Sequence, residues 1–172
     1  MKKTNLILLF IVLIGGTAYI SMLAQNETPV QKPEVSAPEI LPDFTLSDVN
    51  GNTSSIHDLA ANKPTLFIYF NSTCHLCQDE LGSISKRIKE FEDYSLIFTT
   101  VQPLEEMISF VDGLGIKDNP NVHFLLDAEM KVATFYQIRS VPSIYIYNPQ
   151  KQLQSEYVGI VPIERLLSDL SE

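Results

Sequence analysis

From Leu41 onward, short apolar runs alternate with longer stretches whose apolar residues recur at helical spacing. Phe44 and Leu46 alternate with polar neighbours and lead into Asn50-Gly51. That dipeptide suits a type I′ turn, which predicts a short hairpin. Ser55-Ile56-His57-Asp58-Leu59 reads as a single helical turn. Thr65 to Phe70 is apolar on both faces, the pattern of a central strand in a covered sheet. Cys77, Leu81, Ile84, Ile88 and Phe91 then form one stripe, opposite Lys86, Arg87, Lys89 and Glu90, and predict an amphipathic helix opening at Cys74. Leu96-Ile97-Phe98 is the next strand. Leu104, Met107, Ile108, Val111 and Leu114 line a helix that Gly113 or Gly115 can end. Val122 to Leu126 is a strand, and Val132, Phe135 and Tyr136 mark a short helix. Ser143 to Tyr147 and Leu153 to Val158 are strands joined around Asn148-Pro149-Gln150-Lys151, and Ile163, Leu166, Leu167 and Leu170 form a closing helix. This order predicts an α/β sandwich with parallel crossovers and a late hairpin adding antiparallel edge strands.

The first forty residues follow different rules. Lys2 and Lys3 precede nine consecutive apolar residues, Leu6 to Ile14, a suitable core for a signal peptide. Gly16-Thr17-Ala18 offers a small-x-small cleavage site, but apolar character resumes to Ala24, and residues 6–24 could span a bilayer as an uncleaved hydrophobic helix. Residues 1–24 are therefore read as a signal peptide or an inner-membrane anchor. Lysines at the start favour a cytoplasmic N-terminus, so either reading sends the body to the extracytoplasmic, periplasmic side. Residues 25–40 carry Pro29, Pro33 and Pro38 among polar residues and read as an extended linker, leaving 41–172 as the domain. The chain is 45% hydrophobic with a formal charge of −9, which fits a globular body and disfavours nucleic acid as a partner.

Chemistry concentrates at Cys74-His75-Leu76-Cys77, the only two cysteines of the 172 residues. A structural disulfide here would close so short a loop that its entropic gain is small, which favours a redox role. Cys74 stands where a helix begins, so unpaired backbone N–H groups and the positive dipole end favour its thiolate as a nucleophile. Cys77 lies one turn inside and can resolve a mixed disulfide. No second C-x-x-C accompanies the pair, so a tetrahedral metal site lacks ligands and no metal is expected. His75 is either a cation that stabilises the thiolate or an exposed helix-start residue. His123, within an apolar strand, reads as a core histidine.

Four segments together resemble the TlpA/ResA-like branch of exported thiol–disulfide oxidoreductases, redoxin domains of the thioredoxin-like superfamily. They are Leu41-Pro42-Asp43-Phe44-Thr45-Leu46 with Asp48 and Gly51, the strand followed by Cys74-His75-Leu76-Cys77, Val141-Pro142-Ser143-Ile144, and Asn148-Pro149-Gln150-Lys151 with Gly159. The resemblance implies a three-layer sandwich with a central mixed sheet and helices on both faces. It implies a cis Val141–Pro142 bond lying against the dithiol, where adjacent backbone pairs with substrate. It also implies no cofactor beyond the Cys74–Cys77 dithiol. Glu80 follows Cys77 by three residues, on the rim of the apolar stripe. At this spacing it is similar to the functional glutamate of ResA-like proteins and could move a proton to or from Cys77, the alternative being a solvated helix glutamate. Thr73 stands where the family usually has Trp, Ile68 where thioredoxins carry a buried Asp, and Lys151 where the hairpin has Gly; these departures bear on substrate choice more than on chemistry. The branch reduces exported proteins such as apocytochrome c, so the expected partners are protein thiols or disulfides and an upstream membrane electron donor, the soluble domain being monomeric. Two alternatives remain. One is a thiol peroxidase, since peroxiredoxins share the P-D-F-x-L opening, although no proline stands at their usual spacing before Cys74. The other is a copper chaperone using Cys74, Cys77 and His123, although chaperones of this fold tend to C-x-x-x-C.

Overall fold

A computed structural model describes residues 37–172. The expected signal peptide or anchor over 1–24 lies outside the described residues, as does most of the span read as a linker. Among the described residues, no helix is long and apolar enough to cross a membrane.

Seven strands of the described residues form one mixed sheet: β1 (Thr45–Asp48), β2 (Thr53–Ser55), β3 (Thr65–Tyr69), β4 (Ser95–Thr100), β5 (Val122–Leu126), β6 (Ser143–Tyr147) and β7 (Leu153–Val158). Their spatial order is β2-β1-β5-β4-β3-β6-β7. β3, β4 and β5 run parallel at the centre, where the crossover helices enforce that direction. β6 pairs antiparallel with β3, and β7 with β6. The late hairpin therefore supplies one edge strand rather than two, because β6 is enclosed between β3 and β7.

Among the described residues the helices are α1 (Ile56–Ala60), α2 (His75–Lys86), α3 (Leu104–Leu114), α4 (Lys131–Phe135) and α5 (Ile163–Leu170). The two-residue period of the strands sorts their side chains onto two cores. Leu66, Ile68 and Phe70 with Leu96, Phe98, Ile144 and Ile146 face α2, α3 and α5. Phe67, Tyr69, Ile97, Tyr145 and Tyr147 face α1 and α4. Helices thus cover both faces, as a three-layer thioredoxin-like sandwich requires.

Local departures from the sequence reading have local causes. The β1–β2 hairpin forms, but it closes through Val49 to Asn52 instead of a type I′ turn. Asp48 Oδ1 accepts the N–H groups of Asn50 and Asn52, both at 2.8 Å, and only Gly51 takes a positive φ, 83°. The stripe read as one helix to Phe91 breaks after Lys86. Arg87 closes α2 with its N–H on Ile84 and Ser85, and a 3₁₀ turn (Ile88–Phe91) then delivers Phe91 to the core. Gly115, at φ 68°, ends α3 in the left-handed conformation that a side chain disfavours. Lys151 adopts φ 65° in the β6–β7 hairpin and anchors its Nζ on the Ala61 carbonyl at 3.0 Å. Before β1, the chain lies along the free edge of β7: Leu153 N–H donates to Glu39 O and Leu41 N–H to Lys151 O, each at 2.8 Å. This pairing covers part of an edge strand.

Candidate active site

The dithiol sits at the end of the sheet where β3 and β4 finish. β3 is buried throughout, and the chain leaves it to turn at Asn71 into α2. The turn is held by side chains. Asn71 Oδ1 accepts from Thr73 N–H at 2.8 Å and from Thr73 Oγ1–H at 2.7 Å, and the Cys74 N–H returns to Asn71 O at 3.1 Å. Cys74 caps α2 in an extended conformation, partly exposed, while Cys77 is fully buried one turn in. Both cysteines are free thiols.

The two sulfurs have different surroundings. Cys74 Sγ lies 3.5 Å from the Val141 carbonyl, to which its S–H donates. The Val141–Pro142 bond is cis, as the family resemblance implied. Pro142 O is occupied by Gly159 N–H at 2.9 Å, which ties the proline loop to the end of β7. Cys77 Sγ accepts from Asn71 N–H at 3.4 Å. Burial pushes the Cys77 thiol up to about 12; the Asn71 N–H opposes this, and the nearby Cys74 and Glu80 add to it.

Glu80 is more deeply placed than its spacing implied. It is 0% exposed rather than on a rim, because the segment after β7 closes over α2. Val161 N–H donates to Glu80 Oε2 at 3.0 Å, whereas Oε1 is buried without a partner. Burial raises its carboxyl to about 7, with the Val161 hydrogen bond pulling the other way. A carboxyl held between its two protonation states near neutrality, one turn from a buried thiol, can carry a proton for that thiol.

The remaining sequence candidates separate clearly. The His75 side chain is 84% exposed and faces Asp79, with Nε2 at 3.6 Å from Oδ2. Thr73 and Val141 flank Cys74 through the contacts above. His123 faces away from the dithiol: it projects on the Leu125 side of β5, while Cys77 packs with Val122 and Phe124 on the other. Burial lowers its pKa. The ligand set Cys74, Cys77 and His123 is therefore not assembled, and among the described residues no three metal-ligating side chains cluster.

Beside Thr73 a cleft of about 570 Å³ is lined by Ser72, Glu105, Glu106, Ser109 and Phe110. Leu76, Val101, Leu104 and Ile160 expose apolar surface around the same end of the sheet. The sequence reading did not single out Asn71, Ser72, Gln78, Gln102 or Val161. The Asn71-x-Thr73 spacing of a side-chain-capped turn is the signal available for Asn71; the others act through contacts across elements that nothing in their own spacing marks.

A thioredoxin-like sheet bearing a C-x-x-C dithiol at a helix start, against a cis-proline loop, defines a thiol–disulfide oxidoreductase of that fold. Residues 38–156 match the AhpC/TSA family, and the chain belongs to it. It is similar to the thiol-disulfide oxidoreductase ResA of Bacillus subtilis, 23% identical over 160 residues, covering 91% of this chain and 83% of that protein. It is also similar to the thioredoxin-like protein YneN of the same organism, 25% identical over 166 residues, covering 92% and 91%. Among solved structures, StoA from Bacillus subtilis shares the fold with a TM-score of 0.63 at 17% identity, over 78% of this chain and 100% of that one.

Proposed function

We propose that this protein is an extracytoplasmic reductant of disulfides in exported proteins, held at the membrane by residues 6–24 and recharged by a membrane-borne dithiol donor. The reading rests on one observation: a partly exposed Cys74 paired with a buried Cys77, which lies one turn before a buried carboxyl with a vacant oxygen. The Cys74 thiolate attacks one sulfur of a substrate disulfide. That S–S bond breaks, the departing sulfur takes a proton, and a mixed disulfide forms on Cys74. Cys77 then gives its proton to Glu80 and attacks Cys74 Sγ. The second substrate sulfur leaves and is protonated. Two electrons have passed to the substrate, and a Cys74–Cys77 disulfide remains for the donor to reduce. Val141 presents backbone beside Cys74 for an extended substrate, with Pro142 fixing the cis bend that aims it, His75 and Thr73 form the rim that it meets, and the dithiol itself is the sole redox group.

The deciding experiment is the reduction potential of the purified protein against glutathione buffers. A reducing value, well below the roughly −180 mV of disulfide isomerases, supports this direction. A value near about −120 mV, typical of strong oxidants, reverses it, and failure to cycle at all removes the reading.

A further inference from the structure

Gln102 lies outside the C-x-x-C segment, in the turn between β4 and α3, and is only 6% exposed. Its amide meets the turn that carries the nucleophile. Ser72 N–H donates to Gln102 Oε1 in a very short contact, and Thr100 Oγ1–H reaches the same oxygen at 3.4 Å. On the other side, Gln102 Nε2 donates to Glu106 Oε2 at 2.8 Å. A carboxylate can only accept, so Glu106 fixes which end of the amide faces Ser72. The Ser72 carbonyl is held as well, by Gln78 Nε2 at 2.8 Å from within α2. Both backbone groups of Ser72 are therefore pinned by side chains of other elements, two residues before Cys74. The Gln102 backbone is itself tied down, its N–H donating to Thr100 Oγ1 at 3.2 Å.

We propose that Gln102, oriented by Glu106, is a positioning residue for the dithiol. It sets the angle at which the turn enters α2, and thereby where Cys74 Sγ lies relative to the N–H groups of the first helical turn and to Cys77. The inference rests on the thiol–disulfide reading. It differs from a plain folding role because what it sets is the aim of one sulfur, while the surrounding cores are built by other residues.

The test uses the full-length protein in detergent, reduced, with wild type, Gln102→Leu, Gln102→Glu and the pair Gln102→Glu/Glu106→Gln. Three quantities are read: the alkylation rate of Cys74 near neutral pH, the dithiol potential, and the melting temperature. Gln102→Leu removes the acceptor for Ser72 N–H and should slow alkylation about tenfold, the size of one lost buried hydrogen bond. Gln102→Glu sets two carboxylates against each other and should be at least as slow. The double variant restores one donor and one acceptor in reversed order, and should recover to within about threefold of wild type with a restored potential. If alkylation and potential stay at wild-type values in both single variants, or track melting temperature alone without rescue in the double variant, the inference is overturned. If wild type itself fails to cycle, it is the oxidoreductase reading that fails.

Discussion

Replacing Glu80 with Gln isolates a single proton inside the core. Gln keeps an oxygen for Val161 N–H, whose bond to Glu80 Oε2 is 3.0 Å, and matches the shape of the carboxylic acid, so packing is preserved. What changes is titration. The wild-type carboxyl moves from its ordinary 4.5 to about 7 on folding. Between those values the folded protein holds a proton that the unfolded chain has released. The stabilisation belonging to the protonated acid is complete below about 4.5 and is lost as pH rises through about 7. At ~1.4 kcal/mol for each pH unit, the difference amounts to ~3 kcal/mol. Urea unfolding of the reduced proteins at several values between about pH 4.5 and 8 should therefore show the stability of the Gln variant relative to wild type rising by ~3 kcal/mol from the acid end to pH 8, on top of a constant offset from the amide N–H groups that take the unpartnered Oε1 position. Taking the difference between variant and wild type cancels His123, whose lowered pKa has the opposite slope. The same substitution should slow release of the mixed disulfide by about 10²-fold, because Cys77 has lost its proton acceptor. Parallel stability curves, or an unchanged resolving step, would show that the buried carboxyl carries no proton for Cys77.

Three further outcomes follow from the same geometry. Cys77→Ala should arrest the cycle at the mixed disulfide on Cys74, so that non-reducing gels from cells show covalent adducts; an adduct-free Cys74 in that variant argues against its role as nucleophile. At about pH 8, brief alkylation of the reduced, folded protein should add one label by mass spectrometry, on Cys74, because the Cys77 thiol is buried and raised to about 12; equal labelling of both sulfurs contradicts the burial. Asp127→Ala should destabilise by ~3 kcal/mol in urea, since its carboxylate takes the Tyr69 hydroxyl at 3.1 Å and the Val132 N–H at 3.2 Å, both buried, and the partly buried Ala133 N–H at 3.0 Å. A loss below about 1 kcal/mol would mean that those donors find other partners.

Elements governed by neighbours close along the chain were legible before folding. The strands announce themselves by runs such as Thr65 to Phe70, which must be covered on both faces, and α2 by the stripe from Cys77 to Ile84. The dithiol was legible too, because spacing of three and a helix start are properties of consecutive residues. Contacts across the fold were not. Glu80 looked like a rim residue because its own helix says nothing of Val161, eighty-one positions away, whose segment closes over it. Gln102 looked like any polar turn residue until the sheet brought β3 and β4 side by side and set its amide against Ser72. His123 could have joined the sulfurs on composition alone, and only the pleat of β5 sends it to the opposite face. Periodicity records which side of an element is apolar. What occupies that side, and therefore which proton or sulfur it can serve, depends on distances that arise when segments far apart in the chain share one core.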